Sequence, residues 1–305
     1  MNDSLQTAPA WIAVDWGTSN LRAWAMSADG RVLAEAGSDD GMGKLSREGF
    51  EPALLRLVGS WLDTRPPVFA CGMVGSRQGW CEAPYRTVPC PPLDADKQIT
   101  APTTDPRLSV RIAPGLKQTQ PADVMRGEET QIAGALRLLP GYDGVFCLPG
   151  THSKWVHVSA GEVVSFQTFM TGEMFALLSE ASVLRHGMQG TGWEDAAFDA
   201  AVSDALSRPE KIGARLFALR AEGLIAGLSP AAARSRLSGL LIGTELAAAK
   251  PYWLGQRVTL IGAEKLSAAY ARALAAQGID AQRLSATDCT LAGLATLAPQ
   301  TEIAR

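Results

Sequence analysis

The chain has 305 residues, a formal net charge of −3 and a hydrophobic share of 47%. Its length predicts two domains of about 150 residues each, and its composition is typical of a globular α/β protein. The scattered basic residues argue against a nucleic-acid partner, which requires a stripe of Lys and Arg. No apolar run approaches the roughly 18 residues of a membrane span, and the polar N-terminus does not resemble a signal peptide. We therefore expect a cytoplasmic protein with no membrane partner.

The cysteines and histidines show no disulfide or metal-binding pattern. The five cysteines are odd in number and include no Cys-x-x-Cys pair, which predicts reduced thiols. The three histidines lack the spacing of a zinc hydrolase. We expect neither a disulfide framework nor a bound transition metal.

The first half of the chain begins with three strands in an antiparallel meander. An apolar stripe then predicts a helix that ends before two consecutive prolines, followed by a buried strand. A proline-rich stretch without periodicity is expected to form a surface loop. The predicted elements are strands at 11–16, 20–27 and 31–36, a helix at 47–63, a strand at 68–71, a loop at 84–106, a strand near 109–113 and a helix at 128–139.

The second half repeats this order. Predicted strands lie at 144–149, 153–158 and 163–168, then a helix at 172–185, an insertion of three helices within about 194–249, a strand at 257–262, a helix at 264–277, a strand at 280–284 and a helix at 288–298. A duplicated βββαβα unit indicates an α/β protein with the actin-like ATPase (ribonuclease H-like) fold, two domains around a central cleft. We place the domains at 1–140 and 141–305.

A short turn after the first strand is the first candidate site. Asp15 ends the strand, and the small residues Gly17, Thr18 and Ser19 follow it. Open α/β sheets present ligand-binding side chains at strand ends, and glycine lets phosphate approach the backbone. The turn therefore predicts phosphate binding, with Asp15 holding Mg²⁺ through water. The alternative is a tight β-turn whose polar side chains satisfy only the backbone.

The second half carries a matching turn and a glycine at a later strand end. Gly150 and Thr151 repeat the Gly-Thr pair, and Lys154 follows them as a candidate phosphate ligand or a solvated strand lysine. Gly262 and Ala263 lie between a strand and a helix, where a nucleobase can approach the backbone. A plain strand-to-helix turn is the alternative there.

Acidic and basic residues suggest the catalytic and substrate groups. Glu128 lies in the first turn of the helix that leads into the second hairpin and is our candidate general base. The alternative, for one of the pair Glu128 and Glu129, is that the acid only complements the helix dipole. A glycine-rich loop after the buried strand is expected to contact a polar, acidic substrate. The candidate substrate residues are Gly75, Ser76, Arg77 and Trp80 in this loop, together with Arg22 and Arg126, and Arg86 is a further candidate carboxylate partner.

The chain resembles the 2-dehydro-3-deoxygalactonokinase family, small relatives of the actin-like sugar kinases. The matching segments run almost from end to end: Asp15-Trp-Gly-Thr-Ser-Asn-Leu-Arg-Ala-Trp24, Gly72-Met-Val-Gly-Ser76, Gly79-Trp80, Pro84-Tyr85, Val124-Met-Arg-Gly-Glu-Glu-Thr-Gln131, Pro149-Gly-Thr-His-Ser-Lys-Trp155, Met170-Thr-Gly-Glu173 and Ser238-Gly-Leu-Leu-Ile-Gly243.

This resemblance implies ATP- and Mg²⁺-dependent phosphorylation of 2-dehydro-3-deoxy-D-galactonate at its 6-hydroxyl, a step of bacterial galactonate breakdown. Larger sugar kinases of this fold carry a catalytic aspartate in a Gly-Asp-Gln segment, and Gly127-Glu128-Glu129 lies at the similar place here. The alternatives are a kinase of another sugar acid or hexose, a phosphatase of this fold, and a non-catalytic ATP or sugar sensor. The Ala/Leu pattern of the inserted helices does not distinguish core from a homodimer surface.

Overall fold

The computed structural model describes residues 8–298 of the chain. The chain divides into two compact units. Of the described residues, the first unit contains 8–142, Ser159–Val164 and 286–298, and the second contains Asp143–Val158 and Ser165–Ser285.

The first unit is built on a six-stranded mixed sheet. Its strands and those of a small second sheet are β1 (Trp11–Trp16), β2 (Leu21–Met26), β3 (Val32–Ser38), β4 (Val68–Gly72), β5 (Tyr85–Thr87), β6 (Ile99–Thr100), β7 (Val110–Ile112), β8 (Gly115–Thr119) and β9 (Ala122–Met125). The large sheet has the order β3-β2-β1-β4-β7-β6. The first three strands are antiparallel, whereas β4 runs parallel to β1 and β7 parallel to β4. The carboxyl ends of β1 and β4 therefore lie side by side.

Two helices of the first unit follow from their sequences. Helix α1 (Phe50–Val58) buries Phe50, Ala53, Leu54 and Val58, the spacing of one helical face. It is shorter than the predicted helix at 47–63 because 3₁₀ turns flank it on both sides. Helix α2 (Glu128–Leu138) begins at the predicted residue.

The second unit repeats the strand order of the first. The strands of its sheet are β10 (Gly144–Leu148), β11 (Ser153–Ser159), β12 (Glu162–Phe169), β13 (Val258–Gly262) and β14 (Gln282–Ser285). The segment Ser159–Val164, at the tip of the β11–β12 hairpin, is grouped with the first unit. The strand order is β12-β11-β10-β13-β14, with β13 parallel to β10 and β14 parallel to β13. This duplicated arrangement confirms the predicted actin-like ATPase fold class.

The helices of the second unit are α3 (Thr171–Ala176), α4 (Asp195–Ser207), α5 (Ile212–Ile225), α6 (Pro230–Ala248), α7 (Lys250–Trp253) and α8 (Glu264–Ala275). The predicted helix at 172–185 is divided, because α3 continues into a π turn and then a 3₁₀ segment. Helices α4 and α6 pack so closely that a Cβ atom on Gly239 would lie 2.5 Å from the Phe198 carbonyl oxygen. Helix α5 leaves Phe217, Leu224 and Ile225 exposed.

The last helix, α9 (Ala286–Leu294), packs in the first unit against α2. A Cβ atom on Gly134 would lie 1.8 Å from the Cys289 carbonyl oxygen, and one on Gly293 would lie 2.0 Å from that of Thr130. Glycine at both positions permits this close helix crossing. The predicted division at residue 140 placed this segment in the second domain, so it differs from the observed packing.

A small three-stranded sheet has the order β5-β8-β9. Strand β5 lies in the predicted loop at 84–106, and β8 and β9 lie between the predicted strand near 109–113 and the predicted helix at 128–139, where no element was predicted. These strands are three to five residues long, too short to show a clear hydrophobic period. Among the helices of residues 8–298, none is long and apolar enough to cross a membrane.

Candidate active site

The turn after β1 is held by backbone hydrogen bonds and by a neighbouring glycine-rich loop. The Gly17 N–H donates to the Asn20 carbonyl oxygen at 2.9 Å, and the Gly43 N–H donates to the Thr18 carbonyl oxygen at 2.9 Å. A Cβ atom on Gly41 would lie 2.2 Å from the carbonyl carbon of Ser19, so this loop needs glycine there. The side chains of Thr18 and Ser19 are exposed. The turn thus presents hydroxyl groups to solvent on a fixed backbone.

Asp15 lies beside this turn at the carboxyl end of β1. Its carboxylate accepts a hydrogen bond from Arg22 Nη2 at 2.6 Å, and the Asp15 side chain is 19% exposed. Arg22 also donates to Thr287 Oγ1 at 3.3 Å and stacks over the Trp24 ring. Two different elements therefore orient the guanidinium group that fixes the carboxylate.

Gly72 and Gly127 bring the end of β4 and the start of α2 together next to Asp15. Gly72 has φ +90°, and a Cβ atom there would lie 2.7 Å from the Trp16 carbonyl oxygen and 3.5 Å from Asp15 Oδ1. Gly127 has φ +107°, and its Cβ atom would lie 3.3 Å from the Gly72 Cα. Both conformations favour glycine. The approach places Glu128, the next residue, near the end of the central strands.

Glu128 and Glu129 occupy different environments. Glu128 is half-buried, and its Oε2 accepts a hydrogen bond from the Arg126 backbone N–H at 3.1 Å. Glu129 is fully buried and accepts from the Gly127 N–H at 2.9 and 2.7 Å and from Thr130 Oγ1 at 3.2 Å. Burial, and next the charge of Glu128, raise the pKa of Glu129 to about 8. Glu129 is therefore a neutral acid near pH 7, and Glu128 remains the predicted general base.

Cys71 is a buried thiol whose pKa responds to two of these acidic groups. It is buried at the end of β4, and the register of the parallel strands pairs its Cα with that of Asp15. Burial raises the pKa of the Cys71 thiol, and the charges of Asp15 and Glu129 raise it further. The Cys71 side chain therefore stays a neutral thiol near pH 7.

The turn after β10 in the second unit is packed against the start of α3. A Cβ atom on Gly172 would lie 2.3 Å from the Gly150 carbonyl oxygen, and the Glu173 N–H donates to the Thr151 carbonyl oxygen at 2.9 Å. The Thr151 side chain is exposed, as in the first turn. Lys154 is 3% exposed, and its Nζ donates to the His152 carbonyl oxygen at 3.4 Å. The solvated strand lysine considered as an alternative is therefore incorrect, since this ammonium group is held against the turn.

The predicted nucleobase residues lie at the end of β13. A Cβ atom on Gly262 would lie 2.9 Å from Ser267 Oγ and 3.4 Å from the carbonyl oxygen of Pro149. Pro149 is the residue that follows β10. Ala263 is exposed and precedes α8. Gly262 therefore lets the ends of β10 and β13 lie close together within the second unit.

Comparisons with known proteins identify the family. The family model described as 2-keto-3-deoxy-galactonokinase (DGOK) matches residues 15–297. The chain belongs to the 2-keto-3-deoxy-galactonokinase family. One relative, "Probable 2-dehydro-3-deoxygalactonokinase DgoK1" of Rhizobium meliloti (strain 1021), is 39% identical over 96% of this chain and 98% of its own length. The 2-dehydro-3-deoxygalactonokinase of Escherichia coli (strain K12) is 34% identical over 94% of this chain and 97% of its own.

A solved structure supports the same relationship. A crystal structure of a 2-dehydro-3-deoxygalactonokinase protein from Sinorhizobium meliloti matches with a TM-score of 0.88 and 38% identity, covering 94% of this chain and 98% of that chain. The protein is thus a carbohydrate kinase, and kinase chemistry implies ATP as the phosphoryl donor.

The residues of the predicted substrate loop differ in their exposure to solvent. Gly75 and Ser76 are buried, and Arg77 is exposed. Trp80 is 3% exposed and stacks on Phe50, with a centroid distance of 6.2 Å, in the core of the first unit. The loop thus turns the indole ring of Trp80 inward, and contact of Trp80 with the substrate stays a prediction.

A buried hydrogen-bond network in the second unit of the kinase was not foreseen. Glu245 of α6 is 3% exposed and accepts from Trp155 Nε1 at 2.7 Å, from Tyr270 Oη at 2.7 Å and from Thr171 Oγ1. Tyr270 is also hydrogen-bonded to Ser153 Oγ at 3.0 Å. Burial raises the pKa of Glu245. The only sequence signal was an acidic residue on the apolar face of a predicted helix, and it named no partner.

We expect Glu245→Ala to destabilise the second unit strongly, because it leaves the buried donors of Trp155 and Thr171 without an acceptor, each costing about 1–3 kcal/mol, and leaves Tyr270 with Ser153 alone. Glu245→Gln should be much milder, since its amide oxygen can serve Trp155 and its amide nitrogen can face the Thr171 and Tyr270 hydroxyl oxygens. Urea unfolding followed by tryptophan fluorescence measures both variants. Equal stabilities of the Ala and Gln variants would show that the network contributes nothing.

The raised pKa of Glu129 makes stability depend on pH. The folded state keeps this proton up to about pH 8, whereas the unfolded chain releases it near 4.5. The folded state therefore binds more protons between these values, and the contribution of Glu129 to stability falls as pH rises through this window. We therefore expect the melting temperature of Glu129→Gln minus that of the parent chain to be larger at about pH 8 than at about pH 5.

Differential scanning calorimetry at the two pH values tests this, with Glu82→Gln as the control, because Glu82 is an exposed acid of the same unit. A difference between the Glu129→Gln and parent melting temperatures that stays constant with pH would contradict the prediction.

Proposed function

We propose that this kinase transfers the γ-phosphoryl group of ATP to the 6-hydroxyl of 2-dehydro-3-deoxy-D-galactonate. Membership of the family supports the substrate. The observation that carries the reaction type lies in the first unit, where the exposed Gly-Thr turn and Asp15 follow β1 and the carboxylate of Glu128 begins α2. The second unit has a Gly-Thr turn of its own after β10. Phosphoryl transfer requires positioning and charge neutralisation more than covalent chemistry, and such turns supply both.

We assign ATP binding to residues of both turns and to one strand end. Exposed hydroxyls and backbone N–H groups in the turns are suited to phosphate oxygens, and the Lys154 ammonium group adds a positive charge. A flat nucleobase can lie close to the backbone at Gly262, which has no side chain, and at Ala263, whose side chain is a methyl group. The assigned residues are Gly17, Thr18, Ser19, Gly150, Thr151 and Lys154 for the phosphates, and Gly262 and Ala263 for the nucleobase.

Asp15 is the proposed Mg²⁺ ligand, through water. Mg²⁺ keeps several of its waters and is usually held by one or two carboxylates together with the substrate phosphates. Residues 8–298 contain no cluster of three or more His, Cys, Asp or Glu side chains that could form an all-protein metal site, and a single partly exposed carboxylate at a strand end fits the water-mediated mode. The ion would neutralise charge on the phosphate oxygens, while Arg22 keeps the Asp15 carboxylate oriented.

Glu128 is the proposed general base. Its carboxylate would accept the proton of the 6-hydroxyl as that oxygen attacks the phosphorus atom, and the Arg126 N–H bond fixes one of its oxygens. The neutral Glu129 beside it avoids a second negative charge. The proposed substrate residues are Gly75, Ser76, Arg77 and Trp80 of the glycine-rich loop, together with Arg22 and Arg126. Arg22 also donates to Asp15.

The deciding experiment offers ATP and Mg²⁺ with 2-dehydro-3-deoxygalactonate, its gluconate epimer and several hexoses to the purified protein. ATP consumption confined to the first compound, with a 6-phosphate product identified by NMR, is the expected result. Turnover only on another sugar would overturn the substrate, and ATP binding without turnover on any compound would overturn the kinase reaction.

A further inference from the structure

Among the candidate arginines of the first unit, Arg126 stands in a different environment from the rest. Arg22 is paired with Asp15. Arg86 donates to the Pro91 carbonyl oxygen, and Arg77 is exposed to solvent. Arg126 is 8% exposed, and its Nε and Nη1 atoms are buried without a hydrogen-bond partner among residues 8–298.

The groups around Arg126 hold its guanidinium in one position. Nη2 donates to the Ala83 carbonyl oxygen at 2.7 Å, and the Tyr85 ring stacks on the guanidinium with its centroid 4.3 Å from Cζ. A Cβ atom on Gly75 would lie 2.9 Å from Nη1. The backbone of the substrate loop therefore lies directly against the charged group.

Ser76, the residue after Gly75, provides a second unsatisfied donor. It is 5% exposed, and its Oγ is buried without a hydrogen-bond partner in the described part of the chain. A buried polar atom without a partner costs about 1–3 kcal/mol, and more when it is charged. Two such residues next to the same glycine indicate a site whose partner is an anion.

We propose that Arg126 and Ser76 form the subsite that binds the carboxylate of the sugar acid. The proposal rests on the proposed function. It identifies which of the candidate arginines binds the carboxylate, the charged group that sugar acids have and hexoses lack. A carboxylate would satisfy the free N–H groups of Arg126 through charge-assisted hydrogen bonds and accept a further bond from the Ser76 hydroxyl. Tyr85 is half-exposed, so a ligand would reach the guanidinium from the side that this ring covers.

The location suits a substrate that reacts at its other end. Arg126 precedes Glu128 by two residues, and its charge acts on the neighbouring Glu129. In this proposal Arg126 binds the carboxylate at one end of the six-carbon chain, and Glu128, in the same short segment, accepts the proton of the hydroxyl at the other end. Neutral hexoses lack the group that satisfies Arg126, so their binding leaves its buried donors unpaired and is disfavoured.

The test compares Arg126→Lys and Ser76→Ala with the parent enzyme on 2-dehydro-3-deoxygalactonate and on its uncharged primary amide. Lysine keeps the charge but loses the planar donor geometry. We expect the KM for the acid to rise about tenfold or more in Arg126→Lys and several-fold in Ser76→Ala, with kcat and the KM for ATP changed much less. With the amide, the parent and Arg126→Lys should differ little.

Arg234→Lys is the matched control, because Arg234 also stacks on an aromatic ring, Phe175, but lies in the second unit. Circular dichroism and calorimetry verify that each variant folds. A loss of kcat without a rise in KM would assign Arg126 to support of Glu128 and overturn the proposal, as would equal losses on the acid and the amide.

Calorimetric titration of the sugar acid separates this proposal from the proposed function. Binding to the parent enzyme that is weakened in both Arg126→Lys and Ser76→Ala supports the subsite even if ATP is not consumed, in which case only the kinase assignment fails. Unchanged affinity in both variants overturns the subsite even if the parent enzyme turns the substrate over.

Discussion

Asp15→Ala should abolish ATP-dependent turnover while the fold is retained. The carboxylate lies at the carboxyl end of β1 beside the first Gly-Thr turn, with its side chain 19% exposed. Because the reaction depends on neutralising phosphate charge in a fixed geometry, loss of this group should lower kcat by about a hundredfold or more. Asp15→Asn, which keeps the shape, should lose nearly as much activity, since the amide carries no charge.

The fold should survive because the partner left behind is solvated. Arg22 is 40% exposed and keeps its contacts with Thr287 and the Trp24 ring. Removing one partner of such a surface ion pair typically costs about 1 kcal/mol or less. Circular dichroism and the melting temperature should therefore be close to those of the parent protein.

Asp105→Asn is the matched control. Its ion pair with Arg107 is 2.8 Å long, and the side chains of Asp105 and Arg107 are 18% and 42% exposed, close to the values for Asp15 and Arg22. Asp105 precedes β7, at the end of the parallel strands opposite to Asp15. Initial rates of ATP consumption at saturating substrate measure both variants. Full activity of Asp15→Ala, or an equal loss in Asp105→Asn, would contradict the assignment.

Glu128→Gln is the second variant for which we expect a large effect. A glutamine cannot accept the proton of the attacking hydroxyl, and loss of a general base typically lowers the rate by about 10²–10⁴-fold. The KM for the sugar acid should change little, because the amide oxygen can still accept the hydrogen bond from the Arg126 N–H. Steady-state kinetics over a range of both substrates gives kcat and KM separately.

The neighbouring acid provides the comparison within the same turn of α2. Glu129 is fully buried with its pKa raised to about 8, so it is neutral near pH 7 and Glu129→Gln replaces one neutral group by another. We expect its loss of kcat to be far smaller than that of Glu128→Gln. If the two losses were equal, or if Glu129→Gln were the more damaging, Glu128 would not be the base.

Much of the fold followed from local patterns. The strand that carries Asp15 near its end, the turn that follows it and the matching turn at Gly150 and Thr151 are encoded by contiguous residues. Because the order of elements repeats, the duplicated fold could be predicted without any knowledge of long-range contacts. The start of α2 at Glu128 could be predicted for the same reason, since acids after a glycine mark a helix N-terminus.

Contacts between distant segments could not be predicted in this way. Hydrophobic period shows which face of an element is buried but not which element covers it, so α9 was assigned to the second half although it packs on α2. Trp80 illustrates the same limit: a tryptophan in a glycine-rich loop suits a ligand site, but Phe50, 30 positions away, draws it into the core.

The sequence by itself determined the two turns, the family and the residue types available for catalysis. Only the tertiary structure decided what each charged group does, because charge behaviour depends on burial and on partners far along the chain. It made Glu129 a neutral acid, enclosed Glu245 among donors up to 90 positions away, and buried Arg126 against Ala83, 43 positions away, with two donors unsatisfied. Identical spacing in an exposed loop would have left all three groups as ordinary solvated charges.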